Sequence, residues 1–89
     1  MKAFITVFGK DRPGIIAETS GLLARHKVNV EDISQTIMQG NFAMIMFVSL
    51  DGADVSLADL AEECSTLGEK TGTEIFVRQE DVYRAMHRV

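Results

Sequence analysis

Nine consecutive residues constrain this chain more than any others: Phe42-Ala43-Met44-Ile45-Met46-Phe47-Val48-Ser49-Leu50. A β-strand sends successive side chains to opposite faces of its sheet. Phe42, Met44, Met46, Val48 and Leu50 therefore point one way, and Ala43, Ile45, Phe47 and Ser49 the other. An antiparallel strand with one wet face alternates apolar and polar residues. This one is apolar on both sides, so it belongs inside a sheet and wants cover on each face. The run from Phe4 to Phe8 repeats the demand, with Phe4, Thr6 and Phe8 opposed to Ile5 and Val7. Helices can cover one face. The other calls for a second subunit, since contiguous apolar surface of this kind marks interfaces. A homodimer or higher homo-oligomer is expected, unless the C-terminal segment folds back over the sheet.

The surrounding pattern supplies the helices. Residues 2–8 form a β-branched and aromatic strand closed by Gly9 and Pro13. From about Pro13 to Lys27 the apolar positions Ile15, Ile16, Thr19, Leu22, Leu23 and His26 recur every three or four residues, which is a helical stripe. Val28 to Gln39 and Phe42 to Val48 read as two strands of a hairpin, with Gly40-Asn41 between them. Ser56 stands as a helix N-cap, with Asp59 three residues on and Leu57, Leu60, Ala61, Cys64 and Leu67 as the next stripe. Gly68 and Gly72 are expected to bracket the end of that helix. Thr73 to Gln79 gives a fourth strand, and 81–88 a short final helix. The order strand-helix-strand-strand-helix-strand predicts an α+β fold, a ferredoxin-like βαββαβ sandwich. Its four-stranded antiparallel sheet carries both helices on one face because the crossovers are right-handed. Residues 1–79 form the domain and 80–89 a helical extension.

Eighty-nine residues suffice for one domain. A single cysteine, Cys64, and two histidines, His26 and His87, offer no internal disulfide and no metal-ligand spacing; no metal and no cofactor are expected. The net charge of −4 argues against a nucleic-acid partner, because cations that neutralise phosphates drive such binding. Nothing approaches the ~20 apolar residues of a membrane-spanning helix, and no signal-peptide cleavage pattern follows Met1-Lys2-Ala3-Phe4. No membrane partner is expected, and the location is expected to be cytoplasmic.

The chemistry-bearing segment is Asp11-Arg12-Pro13-Gly14, between a strand end and a helix start. Unpaired amides and the positive end of the helix dipole converge there, which suits an anion. Gly14 admits a ligand close to the backbone. Pro13 sets the chain into the helix where its missing N–H costs least, and Asp11 can cap the helix or take an ammonium. A carboxylate beside an ammonium, as in an α-amino acid, suits these groups together.

These residues resemble a known family. Asp11-Arg12-Pro13-Gly14-Ile15-Ile16 opening the first helix, followed by Asn29-Val30-Glu31-Asp32-Ile33 opening the second strand, is similar to the ACT domain, an amino-acid-sensing module of metabolic enzymes and regulators. The resemblance spans residues 3–78. Within the family the chain is similar to small stand-alone prokaryotic ACT proteins of uncharacterised role and to the ACT repeats of the glycine cleavage system transcriptional repressor. The resemblance implies backbone contacts to a ligand from Asp11, Arg12, Pro13, Gly14 and Ile15. It also implies that Asn29, with Val30 beside it, reaches the ligand from the same or a neighbouring subunit, and makes Asp32 a looser candidate. No catalytic or DNA-binding domain is expected beyond the short final helix, so any effect on metabolism is expected to pass through a separate target protein, unless the module has another task.

Three functions remain in view. The first is a non-enzymatic regulatory module that binds a small metabolite, expected to be an amino acid. The second is an oligomerisation or protein-interaction module without a ligand. The third is an acyl-phosphate hydrolase using Arg12 and Asn29, although the loop lacks the glycines and basic groups of a phosphate cradle. Elsewhere, His26 suits the C-terminal end of its helix, Cys64 a small core position, Met38, Met44 and Met46 strand packing, Asn41 a turn, and Glu62-Glu63 a solvated helix face.

Overall fold

A computed structural model describes residues 1–10 and 12–81. Asp11, and all but the first residue of the helix expected over 81–88, lie outside the described residues. The elements run β1 (Lys2–Lys10), α1 (Ile15–Arg25), β2 (Asn29–Met38), β3 (Asn41–Ser49), α2 (Leu57–Thr71) and β4 (Thr73–Gln79). The antiparallel sheet has the order β2-β3-β1-β4. This is the ferredoxin-like βαββαβ arrangement that the alternating periodicities predict.

The two central strands are the two that are apolar on both faces. Ala3, Ile5 and Val7 of β1 and Phe42, Met44, Met46 and Val48 of β3 are buried in one core. Ile15, Leu22 and Leu23 of α1 and Leu60 and Cys64 of α2 join them there. Burial pushes the Cys64 thiol up to about 11, so it is a core residue and a poor nucleophile. The opposite face stays open among the described residues. Phe4 pairs with Phe47, Thr6 with Ile45 and Phe8 with Ala43, while Phe76 of β4 lies beside Thr6. The Phe4 and Phe47 rings sit 4.9 Å apart, and Phe8, Ile45 and Phe76 are exposed.

Two boundaries differ from expectation for local reasons. The helix α1 starts at Ile15 rather than Pro13, because Gly14 takes φ 88°, ψ −5°. Those are the angles of the third residue of a type II turn, which follows a proline. The hairpin turn is Gln39-Gly40, not Gly40-Asn41: both carry positive φ, 51° and 78°, as a two-residue type I′ turn requires, and Asn41 pairs with Met38 inside the sheet. Gly68 and Gly72 bracket the end of α2 at Thr71 as expected, and Gly68 lies buried in the last turn, where a Cβ would stand 2.7 Å from the Thr73 carbonyl oxygen. Its missing side chain lets α2 lie close on β4. Gly72, at φ 71°, is the residue that closes the helix.

The edge strand β2 is exposed at every residue. A bulge between Val30 and Asp32 shifts its pairing to β3, a device common on sheet edges. Glu31, at the bulge, reaches Lys2 at 2.6 Å.

Candidate functional site

The turn from Arg12 to Gly14 delivers the chain from the end of β1 to the first residue of α1. Between that turn, the first turn of α1 and the far end of β2 lies a cavity of about 420 Å³. Arg12 and Gly14 form its rim, and Ile15, Ile16 and Ala17 its helical wall. Gln35, Ile37 and Phe42 close it from the sheet. Arg12 donates to the Pro13 carbonyl at 3.2 Å and to the Glu18 carboxylate at 2.7 Å. Glu18 lies next to Gly14, its Oε1 being 4.0 Å from the place a Cβ on that glycine would occupy. The predicted residues Arg12, Gly14 and Ile15 thus border one cavity, with Pro13 in the turn between them.

The other predicted residues lie elsewhere in the chain. Lys10 pairs with Asn41, which pairs with Met38, whereas Lys2 pairs with Ser49, which pairs with Asn29. The turn therefore follows one end of the sheet and Asn29 begins at the other. Eight residue steps at about 3.4 Å each put roughly 27 Å between those ends. Val30 lies beside Asn29. Asp32 pairs with Phe47 and lines a small cavity with Phe4 on the open sheet face, and its carboxylate accepts the Ile33 N–H at 2.9 Å. Neither Asn29 nor Val30 can meet Arg12 within one chain, and the Arg12–Asn29 pair of the hydrolase reading cannot address one substrate there.

Five cavity residues escape the motif-based reading: Ile16, Ala17, Gln35, Ile37 and Phe42. Ile16 makes the stripe of α1 one residue too wide, and it is 41% exposed. Ile37 is 58% exposed on an edge strand. Each is an apolar residue with more exposure than its pattern accounts for, which is the signal that sequence carries.

A larger cavity, about 550 Å³, opens beside the start of α2. Asp54, Asp59, Glu62 and Glu63 line it together with His26, a wall that repels carboxylates. Its central groups already hold one another: His26 Nδ1 lies 3.2 Å from Asp54 and Nε2 2.8 Å from Glu63. The bonds to Glu63 and Asp54 raise the His26 pKa above its usual value. His26 thus joins the end of α1 to α2 rather than lying in the apolar stripe, and Glu63 is its partner rather than only a solvated acid. Ser56 Oγ accepts the Asp59 N–H at 3.1 Å, the expected N-cap. Among the described residues no group of three or more His, Cys, Asp or Glu side chains could hold a metal ion, and no helix is long and apolar enough to cross a membrane.

The family model of the ACT domain matches residues 2–78. The chain belongs to the ACT domain family. A UPF0237 protein of Methanopyrus kandleri is 54% identical to this ACT domain over 88 residues, covering 99% of this chain and 98% of that one. The ACT domain protein from Streptococcus pneumoniae superposes with a TM-score of 0.82 at 36% identity, over 93% of each chain. A protein assigned as a glycine cleavage system transcriptional repressor shares the fold, with a TM-score of 0.76 at 23% identity over 86% of this chain and 44% of its own. ACT domains are regulatory modules, and many bind amino acids.

Proposed function

We propose that this ACT domain is a non-enzymatic regulatory module that binds a small metabolite, an α-amino acid, in the cavity beside Gly14 where two subunits meet. The observation that carries the reading is the position of that cavity. It lies at the one turn that the sequence marks as anion-receptive, and Arg12 at its rim is paired with Glu18, which sets a carboxylate beside the lining residue Gly14.

The sheet supports the second subunit. β2 is a ten-residue edge strand with Val30, Ile33, Ile37 and Met38 exposed, and a long apolar edge is a template for pairing. If β2 pairs antiparallel with the same strand of a second copy, its Asn29 end meets the Met38 end of its partner. The partner subunit's Asn29 and the partner subunit's Val30 then approach the cavity from which this chain's own are roughly 27 Å distant. The open face around Phe4, Phe8, Ile45 and Phe76 offers a further surface for assembly and for a separate target protein.

A thermal-shift screen against the amino acids tests the proposal, since a ligand bound only by the folded state raises Tm. At least one amino acid at millimolar concentration should raise it. The absence of any shift leaves the oligomerisation module as the better reading. Light scattering checks the assembly: a stable monomer removes the shared site.

A further inference from the structure

The cavity also indicates which amino acids it suits. We propose that the ligand is an α-amino acid with an uncharged, apolar side chain, which lies against Ile37 and Phe42 while Arg12 and Glu18 hold its charged head. This rests on the amino-acid reading above and adds the class of side chain.

The lining decides the class. Phe42 and Ile15 are each 2% exposed and form a dry floor, while Ile16 and Ile37 stand as exposed walls. Among the described residues, every side chain lining the cavity apart from Arg12 is uncharged, and Gln35 is the one amide. A ligand carboxylate or ammonium pushed past the rim loses its water against these groups and finds no opposite charge, which is costly. An apolar side chain instead removes its own surface and that of Ile16 and Ile37 from water, which is favourable. The volume, about 420 Å³, falls in the lower part of the range for small-molecule sites.

The rim suits a zwitterion. Arg12 and Glu18 are bonded at 2.7 Å, but their side chains are 36% and 42% exposed, and a pair so wet holds its partners weakly. An incoming amino acid can exchange with it, its carboxylate taking the guanidinium and its ammonium the Glu18 carboxylate in charge-assisted bonds. Gly14, beside Glu18 and without a side chain, leaves room for the α-carbon.

Titration calorimetry on the full chain tests this with glycine, alanine, valine and leucine against serine, aspartate and lysine. Affinity should climb from glycine to leucine, by up to about fourfold per added methylene. Aspartate and lysine should bind at least about tenfold more weakly than leucine. Ile37→Asn, an exposed edge position that the fold tolerates, should compress the leucine-to-glycine ratio severalfold. Arg12→Gln should weaken every amino acid while keeping their order. If serine, aspartate or lysine binds more tightly than leucine, or Ile37→Asn leaves the ratio intact, the side-chain assignment falls while amino-acid binding stands. If no amino acid binds, both fall.

Discussion

The two helices of this domain begin in opposite ways. The start of α2 is closed by its own sequence: Ser56, in an extended conformation, turns its hydroxyl onto the Asp59 N–H. The start of α1 has glycine in the capping position, in a left-handed conformation and with no side chain to offer. Both sites adjoin a cavity, but the one at α2 is walled by carboxylates and the one at α1 by isoleucines and a phenylalanine. One helix start is capped by its own side chain, and the other, without a side-chain cap, is where the ligand is proposed to sit.

Gly14→Val attacks the contrast most directly. A β-branched residue at φ 88° carries the left-handed penalty, about 1–2 kcal/mol, and its side chain intrudes beside Glu18. Denaturant unfolding should record that loss, and calorimetry should find amino-acid binding abolished. Ser56→Ala is the complementary test. It should cost about 1 kcal/mol of stability and leave binding unchanged, whereas any effect on affinity would show that the two helix starts are not separate devices. Pro13→Ala should cost about 0.4–1 kcal/mol, mainly by loosening the unfolded chain, and should weaken binding only through a less rigid turn.

The smallest effect is electrostatic. His26 ties the end of α1 to Glu63 of α2 and to Asp54, and its pKa is raised in the fold. A group whose folded pKa exceeds the unfolded value binds its proton more tightly when folded, so its contribution is full below the unfolded value of about 6.5. It fades as pH rises through the higher folded value. The stability advantage of the native chain over His26→Asn should therefore shrink between mildly acidic and mildly alkaline pH. A flat difference would show that the triad does not couple the helices in solution. High salt should reduce the advantage as well, since the groups are exposed.

Much of this was legible in the sequence, for a specific reason. The double apolar character of Phe42–Leu50 placed that strand at the centre of a sheet, and period-2 and period-3.6 patterns placed the other elements around it. Where boundaries moved, a backbone angle was responsible: the left-handed Gly14 delays α1, and the positive φ of Gln39 shifts the hairpin turn by one residue. Neither is visible in a hydrophobic pattern. Gly68 and Gly72 marked the end of α2 correctly, but that Gly68 also lets β4 pack close was invisible until the strand against it was known.

The site divides along the same line. Sequence alone determined that Arg12-Pro13-Gly14 would be a tight turn beside a helix start, since those residues fix local backbone geometry wherever they occur. It determined the order of elements, because periodicity is a local property. Tertiary structure alone decided that Gln35, Ile37 and Phe42 face that turn, and that Asn29 begins at the far end of the sheet. It also decided that His26 meets carboxylates from two later segments. Such meetings depend on strand order and register, which are set when the helices pack over the sheet, and no short stretch of chain contains them.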